Sequence, residues 1–254
     1  MALAAEAKYT SAIEMKFNEN NTVIVNVATR HFVRGQLRLQ ATLQQVGYKG
    51  SLLLWRNKFP PDSPWHKGHQ WPHGPGMIPY AFKRHAIAAA RVQGYRYVIW
   101  CDASIVALKP LEPLLEYIDE HGYWLANNGW SVGQWCTDSA LGPLRINRQQ
   151  AFGIKLCTGG AFALDLSHGL GMTFLNNLLD VPQEAYCGPW RNDDGEASAD
   201  KQVLGHRHDQ TVMSVVAWRL GMPLIDFPQF FAYLDVAGPI PDDVILGAKG
   251  VREG

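Results

Sequence analysis

The sequence has no excess of charge of either sign, because Lys+Arg and Asp+Glu each number 23 among its 254 residues. A protein without net charge has no overall positive potential to attract nucleic acid or an anionic membrane surface. No apolar run approaches the roughly 20 residues of a membrane-spanning helix. The N-terminal stretch "MALAAEAKYTSAIEMKF" carries charges where a signal peptide has its apolar core. These absences predict a soluble, intracellular protein.

Cysteine is scarce. The four that occur, Cys101, Cys136, Cys157 and Cys187, are widely spaced and form no Cys-x-x-Cys pair. A disulfide framework or a zinc knuckle has closer and more regular spacing. The pattern instead indicates reduced thiols, and with them a cytoplasmic location.

Segments typical of strands and of helices alternate along the chain. Short apolar runs rich in β-branched residues predict strands, and longer segments with helical spacing that stop at glycine predict helices. The predicted strands are 22–28, 51–55, 95–100, 123–127, 160–166 and 223–227; the predicted helices are 31–47, 79–94, 111–121, a segment from a Ser167 cap to 179, and 208–221. This order predicts a single α/β domain over residues 1–254, with a mostly parallel central sheet and an N-terminal extension at 1–20.

Two segments rich in Gly, Pro, His or Trp, residues 56–78 and 128–156, interrupt this alternation. Long loops in a compact domain are usually functional, so we expect both to lie over a ligand cleft that receives an acceptor. Tryptophan rings stack on sugars and on bases, although packing within loops is their commoner role. The aromatic residues expected to line the cleft are Trp65, Trp71, Trp124, Trp130 and Trp135, with His66, His69 and His73.

The stretch "YVIWCDASIVALKP" (97–110) places one carboxylate, Asp102, directly after a buried strand. Ligands of α/β sheets bind beyond the carboxyl ends of strands. A carboxylate there can hold a hard divalent cation that bridges the phosphates of a nucleotide. The alternative is that Asp102 only caps the following turn, as aspartate often does.

The order of several motifs resembles that of the GT-A glycosyltransferases, particularly the retaining, glycogenin-like group. The motifs are "VNVATRHFVRGQLRLQATL", a helix with Lys and Arg, "VIWCDASIVALKPLEPL", "CTGGAFALDL" and "HDQTVMSVVAWRLG". Each is degenerate, and their shared order across residues 22–225 is the specific part. The resemblance implies a GT-A fold and transfer of a hexose or pentose from a nucleotide sugar, UDP-linked, with retention and with Mn²⁺ or Mg²⁺. The acceptor stays open among a glycan, a protein, a lipid headgroup and a modified nucleobase.

The resemblance also implies roles for individual residues. The nucleoside would contact Ala28, Thr29 and Arg30; the diphosphate and donor would contact Lys83, Arg84, Trp100 and Asp102; the donor sugar would lie beside Thr158, Gly159 and Gly160; and Asp209 and Gln210 would be catalytic. Taken singly, Lys83 and Arg84 fit a solvated helix face equally well. The Thr-Gly-Gly segment fits a plain tight turn.

The chain departs from the family pattern at Ser104, where the second aspartate of the Asp-x-Asp motif would stand. A neutral hydroxyl is a poorer ligand for a hard cation than a carboxylate. The predicted metal ligands are therefore Asp102, Ser104 and His208, with Asp209 as another candidate. If none completes the shell, metal dependence is weakened. The substitution also leaves open a non-catalytic protein that binds nucleotide sugars or glycans.

The stretch "GHRHDQ" offers a further alternative. His206, His208 and Asp209 lie within four positions at a predicted helix start. Imidazole and carboxylate together can ligate zinc, which would indicate a metal-dependent hydrolase. Asp209 could also act only as the helix N-cap.

Overall fold

The computed structural model describes residues 16–64, 72–74, 76–226, 228–235 and 238–250. Most of the predicted N-terminal extension lies outside these ranges. So do four residues of the predicted aromatic cleft, Trp65, His66, His69 and Trp71. Within the described ranges, no helix has the length and apolar character needed to cross a membrane.

Strands and helices alternate as the sequence predicts. The strands are β1 (Thr22–Ala28), β2 (Ser51–Arg56), β3 (Tyr97–Cys101), β4 (Ile105–Ala107), β5 (Tyr123–Trp124), β6 (Asn127–Ser131), β7 (Lys155–Cys157), β8 (Ala161–Asp165), β9 (Phe230–Tyr233) and β10 (Val244–Ala248). The α-helices are α1 (Phe32–Gln45), α2 (Phe82–Val92), α3 (Glu112–His121), α4 (Asp138–Leu141), α5 (Arg148–Gly153), α6 (Gly169–Asp180) and α7 (His208–Arg219).

The central sheet has the strand order β2-β1-β3-β8-β5. Strand β1 is parallel to both β2 and β3, whereas β8 is antiparallel to both of its neighbours, β3 and β5. Four strands therefore run in one direction and β8 runs against them. The structure confirms an α/β class with a mostly parallel central sheet.

Helices cover both faces of this sheet, which is why its inner strands are mostly apolar. Side chains of a strand alternate between the faces. In β3, Val98 and Trp100 enter the hydrophobic cluster under α2, α6 and α7. The flanking Ile99 and Cys101 enter the cluster under α1 and α3. The sheet thus separates two cores, and its carboxyl edge is left for ligands.

Three predictions about elements are wrong. The predicted strand 223–227 is only an isolated bridge between Ile225 and Ala126, and the final strands β9 and β10 form a second sheet with β4. The cap of α6 is His168, whose side chain accepts from the Leu170 N–H, because the Ser167 hydroxyl donates to Asp165 instead. Segment 128–156 is not irregular, since it holds most of β6, a 3-10 turn, α4 and α5.

Candidate functional site

The candidate site lies at the carboxyl edge of the central sheet. Ala28 ends β1 and Asp102 directly follows β3, and these two strands are parallel neighbours. Strand β8 runs the opposite way, so the turn that precedes it reaches the same edge. The Asp102 N–H donates to the Gly160 carbonyl at 2.7 Å and ties that turn to the end of β3. Ala28, Asp102 and Gly160 thus share one edge, the position where α/β sheets bind ligands.

One ammonium group joins the centre of the site. The Nζ atom of Lys83 lies 3.0 Å from Asp102 Oδ1 and 2.7 Å from Asp209 Oδ2. It also donates to the Gly159 carbonyl at 2.7 Å. Three oxygen atoms thus lie within 3.0 Å of the ammonium nitrogen, two of them in ion pairs and one as a hydrogen-bond acceptor. Only 5% of the Lys83 side chain and 7% of Asp209 are exposed, against 32% of Asp102. Asp102 is therefore the member that a ligand meets first.

Burial and ion pairing together set the protonation of this cluster. Burial alone would lower the pKa of Lys83, but the carboxylates of Asp102 and Asp209 outweigh it and raise the pKa. Burial raises the pKa of Asp209, against the opposing effect of Lys83. The Lys83 ammonium also lies 5.2 Å from the ring centroids of Tyr80 and Trp100, within range of a cation–π attraction. Lys83 is therefore a fixed positive charge.

Trp100 holds Asp102 in place. Its indole N–H donates to Asp102 Oδ1 at 2.8 Å, and its side chain is fully buried between Phe82 and Phe162. The sequence-based expectation that Trp100 contacts the donor is therefore corrected: the residue orients the carboxylate from beneath.

The turn before β8 approaches α7 so closely that one of its glycines is required. A Cβ atom on Gly159 would lie 2.5 Å from Asp209 Oδ2 and 2.9 Å from Gln210 Cγ. A Cβ atom on Gly160 would meet no atom nearer than 3.7 Å, which is ordinary contact. The buried Thr158 hydroxyl lies 3.3 Å from the Tyr233 hydroxyl. The close approach thus places a backbone segment directly against the Asp209 carboxylate.

Gln210 is held by a residue that the sequence analysis did not single out. Its Oε1 accepts from Asn128 Nδ2 at 3.1 Å, and Asn128 Oδ1 accepts from the Trp130 N–H. Gly129, with φ of 85°, turns the chain between them. The Asn-Asn-Gly stretch was the available signal, because it marks a turn. Trp130, 47% exposed, donates its backbone N–H to the residue that holds Gln210.

The histidines of "GHRHDQ" do not face this cluster. His206 is buried: its Nδ1 accepts from the Thr137 N–H at 3.3 Å, so its Nε2 carries the proton donated to the Ala185 carbonyl at 3.1 Å. Burial lowers the pKa of His206 to about 3. Both ring nitrogens are engaged in holding the chain, which removes His206 from any zinc site.

His208 adopts a left-handed backbone, with φ of 44°, and its ring lies in an aromatic stack. Its Nδ1 lies 2.8 Å from the Tyr186 carbonyl, and the ring stacks on those of Tyr80 and Trp190. The described residues contain no group of three or more His, Cys, Asp or Glu side chains arranged to hold a metal ion. The predictions of His208 as a metal ligand and of a zinc hydrolase are therefore not supported by the placement of the rings. Asp209 is not the N-cap of α7 either, because Arg207 occupies that position.

Arg84 turns away from the site. Its Nη1 donates to the carbonyls of Leu178 at 2.8 Å and Val181 at 2.7 Å, at the C-terminal end of α6. Helix C-termini present unpaired carbonyls and favour a positive charge. The expectation that Arg84 approaches the diphosphate is corrected, since its guanidinium is buried as a helix cap.

The residues predicted to contact the nucleoside lie in the turn after β1, next to the turn after β2. The Arg30 N–H donates to Asn57 Oδ1 at 2.9 Å, and the Asn57 N–H donates to the Ala28 carbonyl at 2.8 Å. Arg30 has a left-handed φ of 51° and an exposed side chain, whereas Thr29 is half-buried. Asn57, absent from the predicted set, thus fixes the predicted nucleoside residues.

Ser104 lies in the turn between β3 and β4, two residues after Asp102. Its carbonyl accepts from the Lys249 N–H at 2.8 Å and from Arg38 Nη2 at 3.4 Å. The strand that passes here pairs Ala248 with Ile105. The turn thus contacts the backbone of Lys249 and the guanidinium of Arg38. The predicted ligand set of Asp102, Ser104 and His208 does not fit a firmly bound divalent cation.

Arg207, which precedes His208, was not anticipated. Its Cζ atom lies 3.5 Å from the ring centroid of Trp135 and 3.8 Å from that of Trp190. Burial, with Arg191 nearby, lowers the pKa of Arg207 to about 10, which leaves the group charged at neutral pH. Trp130 packs edge-on against Trp135 at 5.8 Å. Trp124, predicted for the cleft, is instead fully buried in β5.

No protein-family model matches the sequence, and no curated protein matches it. Among solved structures, the chain is similar at 10% identity to the apo WbbM bifunctional glycosyltransferase, with a TM-score of 0.43 over 81% of this chain and 38% of that one. It is similar at 10% identity to a glycosyltransferase involved in the glycosylation of the major capsid of PBCV-1, with a TM-score of 0.48 over 90% of this chain and 93% of that one. A third is apo mouse xyloside xylosyltransferase 1, at 10% identity and a TM-score of 0.46 over 90% of this chain and 97% of that one.

Proposed function

We propose that the protein is a GT-A glycosyltransferase that moves a sugar from a nucleoside diphosphate sugar, UDP-linked, to an acceptor with retention of configuration. The observation that carries this proposal is the Lys83 ion pair with Asp102 and Asp209 at the carboxyl edge of the sheet. It brings the residue expected at the diphosphate and the residue expected at the sugar to opposite sides of one ammonium group.

The donor would lie along this edge. The nucleoside would contact Ala28, Thr29 and the exposed side chain of Arg30, and the diphosphate would pass the exposed face of Asp102. The nucleoside and the diphosphate would lie side by side because β1, which ends at Ala28, and β3, which precedes Asp102, are adjacent parallel strands. The identity of the base as uracil rests on the family resemblance.

The sugar would lie between the Thr158–Gly160 turn and the start of α7. Asp209 and Gln210 are both fixed there, by Lys83 and Asn128 respectively. Groups held in advance lose little freedom when they bind sugar hydroxyls, so their contacts favour the reactive geometry. Retention, with no dedicated protein nucleophile, rests on the resemblance, as does the hexosyl or pentosyl nature of the sugar.

The acceptor would enter between segments 56–78 and 128–156. Trp130 is half exposed next to the Asn128–Gln210 pair and offers a ring face to a sugar or another planar group. The acceptor class stays open among glycan, protein, lipid headgroup and modified nucleobase. A cytoplasmic location is proposed from the thiols, because all four cysteines are free.

The resemblance implies Mn²⁺ or Mg²⁺ as a cofactor, and the side chains at this edge indicate how strongly such an ion would be needed. The Asp102 side chain is 32% exposed, whereas Asp209 is buried against Lys83. A single carboxylate is a weak protein site for either ion. A divalent cation would therefore assist the diphosphate without being essential.

A thermal-shift and calorimetric screen tests the function. UDP, GDP and a panel of UDP-sugars are added to the full chain with Mn²⁺ and with EDTA, and binding raises the unfolding temperature. We expect UDP and at least one UDP-sugar to bind and that UDP-sugar to be hydrolysed slowly or transferred. No binding of any nucleotide in either condition would refute the proposal.

A second candidate is a nucleotide-sugar-binding protein without turnover. Ser104 favours it, because the hydroxyl replaces a carboxylate of the family motif. Binding of a UDP-sugar with no release of UDP over hours, with every acceptor class offered, would support this candidate over the transferase.

A further inference from the structure

Lys83 occupies the position between two carboxylates that a bridging cation would take. We propose that the Lys83 ammonium replaces the divalent cation in this chain, so that the nucleoside diphosphate binds and departs without a metal requirement. This inference rests on the proposed transferase function. It accounts for the poor fit of the predicted metal ligands.

The first argument is that Lys83 Nζ already fills the position that a metal ion would take. Three oxygen atoms surround Nζ at 2.7 to 3.0 Å, from Asp102, Asp209 and the Gly159 carbonyl. Oxygen ligands of this kind are those that Mg²⁺ or Mn²⁺ would use. A divalent cation at the same position would have to displace the ammonium of a lysine whose side chain is only 5% exposed, and a cation beside it would be repelled by a fixed positive charge.

The second argument is the character of the neighbouring side chains. The Ser104 carbonyl accepts from the Lys249 N–H and from the guanidinium of Arg38, and the described residues contain no group of three or more His, Cys, Asp or Glu side chains arranged to hold a metal ion. A guanidinium therefore contacts the turn that would carry the second metal-binding carboxylate. Positive groups at a diphosphate site perform the same electrostatic task as a metal ion.

The third argument is that Lys83 can exchange a partner for a phosphate oxygen. Its contact with Asp102 Oδ1, at 3.0 Å, is the longest of the three. Asp102 Oδ1 also accepts from the Trp100 indole at 2.8 Å, so it keeps a donor when the lysine turns to the ligand. Asp209 and the Gly159 carbonyl would continue to hold Nζ.

Every bond, electron pair and proton in the group transfer can then be accounted for without a metal ion. The bond between the anomeric carbon and the diphosphate oxygen breaks, and its electron pair stays on that oxygen. The acceptor oxygen forms the new bond to the anomeric carbon, and its proton passes to the departing diphosphate. Lys83 stabilises the negative charge that develops on the diphosphate, which is the task assigned to the cation in metal-dependent transferases.

Calorimetry on the wild-type chain provides the test. UDP is titrated in EDTA and in Mn²⁺, and Mn²⁺ is titrated alone into the nucleotide-free protein. We expect the UDP dissociation constant to differ by less than about threefold between the two conditions, and no saturable Mn²⁺ binding below about 1 mM. The wild-type comparison needs no variant to fold.

Lys83→Ala provides a second test, because it leaves the carboxylates of Asp102 and Asp209 without their ammonium partner. We expect its UDP affinity in EDTA to fall about tenfold or more, and Mn²⁺ to restore part of it and to bind the nucleotide-free variant. Lys83→Arg, which keeps the charge, should remain independent of Mn²⁺. Thermal unfolding of each variant checks that it is folded.

The possible failures are distinguishable. UDP binding by the wild type only with Mn²⁺, or Mn²⁺ binding to the nucleotide-free wild type at micromolar concentration, would overturn the role of Lys83 and leave the transferase proposal standing. Absence of UDP binding in every condition would instead refute the proposed function itself. A Lys83→Ala variant that binds UDP as tightly as wild type in EDTA would also overturn the inference.

Discussion

Lys83 and Asp209, from helices α2 and α7, form an ion pair of 2.7 Å in which both side chains are less than one-tenth exposed. The two residues are distant in sequence, and their pairing fixes how α7 sits against the end of the sheet. A buried charge without its partner is costly, so this pair contributes to folding as well as to the site.

Asp209→Asn tests both roles. The amide keeps the size of the side chain but removes the charge beside Lys83, which retains Asp102 and the Gly159 carbonyl. We expect the free energy of unfolding in urea to fall by about 1–3 kcal/mol and transfer to fall by about a hundredfold or more. Asp193→Asn, at an exposed aspartate, is the control. Full transfer activity in Asp209→Asn would remove Asp209 from the catalytic set.

Arg84→Met tests the assignment of Arg84 to the end of α6. Methionine keeps the apolar stem but leaves the carbonyls of Leu178 and Val181 without their charged donor. We expect a loss of about 2–4 kcal/mol in the free energy of unfolding, with the UDP dissociation constant unchanged. Arg91→Met, at an exposed position of the same helix, should change stability by less than about 0.5 kcal/mol. If Arg84→Met were as stable as wild type but bound UDP more weakly, Arg84 would be a diphosphate contact and not a cap of α6.

The contrast between Lys83 and Arg84 shows where sequence reasoning stops. Both are predicted to contact the diphosphate, and only Lys83 lies beside Asp102, whereas Arg84 caps α6. Consecutive residues of a helix point about 100° apart, so at most one of them can face the sheet edge. Which one does so depends on the packing of α2 against α6, which no local pattern encodes. At the start of α7 the neighbours His208 and Asp209 also point in different directions: the His208 ring stacks on Trp190, whereas Asp209 pairs with Lys83.

Other features were accessible from the sequence because local physical rules decide them. β-branched runs buried on both faces give β1 and β3, and their parallel pairing places Ala28 and Asp102 at one edge. The reversal of β8 was not accessible, because the chain from α3 to β8 passes through several short elements whose path depends on tertiary contacts. The structural roles of Asn57 and Asn128 were missed for the same reason, since each acts on a residue distant in sequence.

His206 predicts a specific dependence of stability on pH. Its pKa is lowered to about 3 in the folded protein, against about 6.5 in the unfolded chain. Between these values the unfolded state binds one proton more, so the free energy of unfolding falls as the pH falls, by about 1.4 kcal/mol per pH unit from this group. His206→Gln should show a shallower fall between pH 6.5 and 4 in urea titrations. His121→Gln, at an exposed histidine, should keep the wild-type slope. An unchanged slope in His206→Gln would contradict the buried neutral imidazole.

Gly159 and Gly160 form a matched pair for testing the sugar side of the site. In Gly159→Ala the new methyl would meet Asp209 Oδ2 at 2.5 Å, so the carboxylate or the turn must shift. Because Lys83 holds both Asp209 and the Gly159 carbonyl, that shift would disturb the whole cluster. We expect transfer to fall by about a hundredfold, with weaker UDP-sugar binding in calorimetry. Gly160→Ala, whose methyl meets nothing nearer than 3.7 Å, should retain activity within about threefold. Equal effects of the two substitutions would show that the turn, and not its contact with Asp209, is what the sugar site requires.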